Sequence, residues 1–294
     1  MNPSSNVPEP RPMYWSVRRE LWENRSVYFA PLIVAAVFLF GFLISTVTLP
    51  RRMDALSALD PAQQRSMVFM PYSIAASMIL LTGFVVGVFY CLDALNGERR
   101  DRSILFWKSL PVSDLTTVLS KASIPLAVQP LLSFAVALAT QLAVLLLSTA
   151  VLLVNGINPA TLWARLPLLQ MSLVMLYGLT VHVLWFAPIY GWLLLVSGWS
   201  RRAAFLWAAL PFFTIAVVEK MAFGTSHFAS MLRYRLGGAM VEAFTDNAAK
   251  VPILRFSQLD PVKFLSSPGL WIGLVFAAAC LAAAVRLRRS REPA

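Results

Sequence analysis

Six apolar runs alternate with polar segments along the chain, at residues 27–49, 68–91, 126–154, 166–196, 203–223 and 268–285. The first holds 23 residues. At 1.5 Å per residue it extends about 34 Å, enough to cross the roughly 30 Å of bilayer hydrocarbon. Pro130 is expected to interrupt the third run, and Asn155-Gly156 to stop it. The fourth is too long to cross without tilt, and Pro188 is expected to kink it. Pro211 lies inside the fifth. In the second, Gly83 and Gly87 have the small-xxx-small spacing that lets two helix backbones approach closely. The pattern predicts an all-α integral membrane bundle of six transmembrane helices.

The polar segments are not plain connectors. Residues 1–12 are rich in Pro, Ser and Asn, and predict no regular structure. From 13 to 28, Tyr14, Trp15, Leu21 and Trp22 alternate with Arg18, Arg19, Glu20, Glu23 and Arg25 at helical spacing. That pattern predicts an amphipathic helix lying in the membrane interface, with aromatic rings at headgroup level. The start of the chain has no basic-then-apolar leader pattern, so the first span is expected to act as its own targeting signal. Between spans five and six, residues 224–267 predict short extracytoplasmic helices. Two such pieces, 227–236 and 239–244, are expected to be broken apart by Gly237-Gly238.

The segment 92–121 stands out. Arg99, Arg100, Arg102 and Lys108 sit among Glu98, Asp101 and Asp114, and residues 104–107 bring four large apolar side chains in a row. Ser103 can cap a short helix over 104–109 that Pro111 ends, and a second helix restarts with Ser113 as N-cap and Asp114 in its first turn. A short helix with an apolar face, held outside the membrane by charge, suits docking into another protein.

Composition agrees with a membrane bundle. The chain is 58% hydrophobic and 13% charged, against a usual charged share of about 25%, and its mean hydropathy is +0.68. The net charge of +11 would point to nucleic acid in a soluble protein. Here the basic residues cluster at the ends of apolar runs and lack aromatic interleaving on a polar domain, which points to topology and anionic lipid. Fifteen Lys and Arg fall on the side of the termini and of segment 92–121, against nine on the other. Five of those nine lie in one long loop, where charge steers orientation least, so the termini are expected to be cytoplasmic.

Chemistry-bearing motifs are few. No G-x-x-x-x-G-K-[ST] phosphate loop occurs, His182 and His227 are the two histidines, and H-E-x-x-H is missing. No Asp pair within the spans fits an intramembrane aspartyl protease. No catalytic or metal-binding residues are therefore expected. Cys91 and Cys280 read as small packing residues. His182 reads as a packing residue or as part of a path, and Gln129, Gln141 and Gln170 as interhelical hydrogen-bond formers. Glu219-Lys220 is an ionisable pair inside a span, placed either to snorkel toward headgroups or, with Gly237 and Gly238, to form a gate at the outer end.

The residues Glu98, Arg99, Arg102, Ser103, Ile104, Leu105, Leu110, Pro111, Val112, Ser113 and Lys121 resemble a motif of bacterial ABC-2 type transporter permeases. Many members have Gly-Thr-Leu where this chain has Arg102-Ser103-Ile104, so the resemblance leaves subfamily and substrate open. It implies that segment 92–121 carries a cytoplasmic coupling helix docked on a separate ABC ATPase subunit through Glu98, Arg99, Arg102, Ile104, Leu105, Trp107 and Lys108. It further implies a bacterial inner-membrane exporter of two permease protomers, with ATP and magnesium bound by the partner rather than by this chain. The corresponding organisation is a disordered start and interfacial helix at 1–26, a transmembrane domain at 27–285 and a basic tail at 286–294. A complex that transmits ATP-driven motion without cargo, or a membrane-embedded lipid-acting enzyme, are the alternatives.

Overall fold

The computed structural model describes residues 12–51, 60–100, 112–200, 202–245 and 256–290. Helix α1 (Pro12–Glu23) leads through a two-residue corner into α2 (Ser26–Ser45), and the apolar stretch continues to Arg51. Asn24 makes the corner: its backbone and side-chain N–H groups both donate to the Glu20 carbonyl. The second span is α3 (Pro61–Asp93), followed at a turn by the short α4 (Asn96–Arg100). Pro61 starts α3 at a position where a backbone N–H has no helical acceptor.

The third span is longer and less broken than its prolines predict. Helix α5 (Asp114–Ser123) passes through a π-helical turn, Ile124–Val128, into α6 (Gln129–Val154). Pro130 therefore does not interrupt it. Pro125 and Pro130 each lack an N–H, and a proline ring crowds the carbonyl four residues back. Widening the turn, so that Gln129 N–H reaches the Ile124 carbonyl, accommodates the strain without ending the helix.

A short α7 (Ala160–Arg165) precedes the fourth span, α8 (Leu168–Trp199), which keeps Pro188 inside it. The fifth span is α9 (Ala204–Phe223), closed by Gly224 at φ 66°. Then α10 (His227–Ala243) runs unbroken through Gly237-Gly238, correcting the expected pair of short helices. Helix α11 (Pro261–Ser266) is capped by Asp260, whose side chain accepts from the Lys263 N–H, and α12 (Pro268–Ser290) is the last span. Among the described residues, six helices are long and apolar enough to cross a membrane.

Packing follows the small residues. Helices α8 and α12 form the closest pair, because Gly191 lies directly on the Ala277 backbone. Gly83 and Gly87 do for α3 what their spacing predicts: a Cβ at the first would overlap Ser133 on α6, and at the second would press on Tyr190 of α8. Around these contacts Tyr72, Ile79, Ala137 and Val144 fill the α3–α6 seam, and Trp185 and Tyr190 are buried on α8. Helix α9 is the outlier, with Ala204 and Ala208 its only buried residues.

Candidate functional site

The densest polar chemistry lies where α1, α3, α4, α5 and α12 converge, at the base of segment 101–111. Amphipathic α1 packs Val17 and Leu21 on the core, which carries Glu20, on the same stripe, into the interior. There Glu20 accepts hydrogen bonds from Arg19 Nη2 at 2.7 Å, Lys121 Nζ at 2.9 Å and the Tyr90 hydroxyl at 2.8 Å. Glu98 stands beside it. Its Oε1 meets Lys121 Nζ at 3.1 Å and Arg19 Nη2 at 3.2 Å, and its Oε2 accepts from Arg288 Nη1 at 2.7 Å. Arg288 also donates through Nε to Asp114 Oδ1 at 2.9 Å.

Three cations thus face Glu20, Glu98 and Asp114, with Glu23 at the edge 3.6 Å from Arg19 Nε, and Glu20, Glu98 and Lys121 are all more than nine-tenths buried. Charges are tolerated away from water only when paired and hydrogen-bonded, and each buried carboxylate here has at least three donors. Burial works against the charge on Arg19, but Glu20, Glu23 and Glu98 outweigh it and hold the guanidinium above its ordinary range. The turn leading to Glu98 is fixed from another side: the Leu95 and Asn96 N–H groups both donate to Ser197 Oγ of α8 at 3.0 Å.

Glu98 and Asp114 flank segment 101–111, and the one Arg288 guanidinium holds both. Ser113 caps α5 as its sequence predicts, accepting from the Thr116 N–H at 3.1 Å. Of the expected docking residues, Glu98 faces inward. Arg99 lies in α4, while Arg102, Ile104, Leu105, Trp107 and Lys108 fall outside the described residues. Sequence patterns left Glu20 on a polar face and Arg288 in a basic tail. The overlooked signal is that Glu20 shares the i, i+3, i+4 stripe of Val17 and Leu21.

At the opposite end, Glu219 caps a helix. Its carboxylate accepts from Thr225 Oγ1 at 2.8 Å and from the His227 and Phe228 N–H groups at 2.7 and 2.8 Å, across the turn from α9 into α10. Lys220 is exposed in the last turn of α9. Gly237 faces open space, whereas Gly238 lies against Trp185 and Tyr234. Helix α10 is latched onto the spans beside it. Arg235 lies over the Trp185 ring at 4.8 Å and donates to the Gly269 carbonyl at 3.1 Å, and Trp185 Nε1 donates to the Arg235 carbonyl at 2.7 Å. Burial lowers the Arg235 pKa from its ordinary value, with Tyr234 opposing.

Between the two ends, α3, α8 and α10 enclose a cleft of about 710 Å³, in the range of small-molecule sites. His182 lines it, edge-on to Phe84 and 3.3 Å from the Tyr190 hydroxyl. Gln141 lines it too, and is 3% exposed.

Compared with family models, curated proteins and solved structures, the chain matches none. The architecture is that of a multi-pass, all-α membrane protein with six apolar spans.

Proposed function

We propose that the chain is the membrane-spanning permease subunit of an ATP-driven exporter of the ABC-2 type, working as a pair of protomers on a separate ATPase. One observation carries this reading: both roots of segment 101–111, Glu98 and Asp114, are held by Arg288 in a buried ionic cluster. A segment that receives a push from a partner must be joined rigidly to the spans it moves. The cluster ties this one to α1, α3, α5 and α12 together. The apolar residues 104–107 then dock on the ATPase, with Arg99, Arg102 and Lys108 at the rim. ATP and magnesium belong to that partner. The exposed face of α9 is available to a second protomer or to lipid. The termini and segment 92–121 lie in the cytoplasm of a bacterial inner membrane.

Co-purification tests it. Burying a large apolar side chain contributes about 1.5–3 kcal/mol and aromatic anchors dominate interfaces, so Trp107→Ala and Leu105→Asp should release the ATPase or uncouple its hydrolysis. Arg100→Ala should do little. The bundle should keep its elution position throughout. Full ATPase content and normal coupled activity in both variants would remove the docking assignment.

A further inference from the structure

We propose that the cleft between α3, α8 and α10 binds the hydrocarbon chain of an amphiphile, and that the amphiphile offers a hydrogen-bond donor, a hydroxyl or amide N–H, to Gln141. The site is a property of a single protomer and stands apart from the ATPase reading.

The cleft exists because of small residues. A Cβ built on Gly237 meets nothing within 4 Å, and one on Gly178 touches only Phe244, at 3.9 Å. Ala76 and Ala239 complete this missing volume. The remaining wall is largely apolar, with Leu80, Phe84, Met171, Val174 and Met175, and its polar members besides Gln141 are Ser73, Ser77 and His182. Leu81, Leu236 and Met240 stand at the rim and are exposed on the outer surface of the chain. A water cluster in such a space would need two to four polar partners per molecule, and this wall offers few. In a bilayer, the available filler is hydrocarbon.

Gln141 adds the polar requirement. Its Nε2 faces the Tyr72 backbone carbonyl at 3.4 Å, an acceptor that takes only a donor, and this sets which end of the amide is which. The side-chain oxygen is buried and has no partner among the described residues. A buried acceptor left unpaired costs free energy, and a ligand donor at this point removes that cost. A chain with no donor fills the cleft without meeting it.

The test is photolabelling of the purified full chain in phosphatidylcholine vesicles, with two diazirine-bearing palmitoyl probes, an N-methylamide and the matching methyl ester. Label is expected in peptides covering 73–84, 171–182 and 236–244, with the amide favoured about five-fold, the ratio for one net hydrogen bond. Gln141→Leu should erase that preference. Gly237→Leu and Gly178→Leu, which add volume to open space, should each cut labelling by both probes several-fold while the protein elutes unchanged. Equal labelling of the wild type by both probes, label spread evenly over α2 and α9, or full labelling of both glycine variants overturns the proposal. So does disulfide crosslinking of Ser77→Cys between two copies with no label in the cleft, since a second protomer would then occupy it.

Discussion

Glu98 and Arg288 stand 190 positions apart in the chain and share a 2.7 Å hydrogen bond away from water. This pair joins the polar segment's root to the last helix of the bundle. Breaking a buried pair by removing one partner strands the other, at about 3–5 kcal/mol. Glu98→Ala should therefore lower the thermal unfolding midpoint in detergent sharply. In a double-mutant cycle, Glu98→Ala with Lys121→Met should cost less than the two separate losses added together. Simple additivity would mean that the two side chains do not share one network.

The two adjacent glycines of α10 should behave oppositely. Gly237→Ala should stabilise by about 0.5–1 kcal/mol, because its Cβ meets open space and alanine suits a helix interior. Gly238→Ala should destabilise, since a Cβ there comes within 3.0 Å of both Trp185 and Tyr234, two buried or packed rings. Equilibrium unfolding of the two variants side by side checks the ordering, and equal effects would contradict the packing described.

Glu219 should act through the helix it caps. Glu219→Ala is expected to speed hydrogen exchange at the His227 and Phe228 amides, while Lys220→Ala leaves them as they were. Unchanged protection in the first variant would leave the cap without a role.

Topology can be read with fused reporters. Fusions after Asn6 and Glu292 should report one side of the membrane, and those after Asp54 and Asp246 the other. Agreement of Asp246 with the termini would break the six-span arrangement.

The spans were legible because burial in hydrocarbon imposes one strong pattern, a long apolar run, on every crossing helix. The small-residue spacing at Gly83 and Gly87 was legible for a related reason: close helix approach needs little side chain at a fixed interval. Proline and glycine misled where neighbours compensate. The turn at 124–128 absorbs Pro125 and Pro130 by widening, and Gly237-Gly238 stay helical because Trp185 and Tyr234 need the space beside Gly238. The ionic cluster was invisible because its pairs, such as Lys121 with Glu20 at 101 positions, are set by how helices pack rather than by local spacing. The cleft escaped likewise, since it is made of absent side chains on three helices.

Arg19, Lys121 and Arg288 are neutralised in the finished cluster, yet each counts as basic in the charge pattern from which the sequence predicts orientation. Carboxylates weigh little in that orientation, so pairing with Glu20, Glu98 and Asp114 does not cancel the count of these cations. Arg288 is synthesised last of the six charged members, and until it emerges Glu98 and Asp114 lack the side chain that joins them. Closure of the cluster therefore marks the end of assembly: only a chain whose final helix has entered the membrane in the right direction can lock its own base. A truncated or inverted last helix would leave Glu98 and Asp114 without Arg288 at that base.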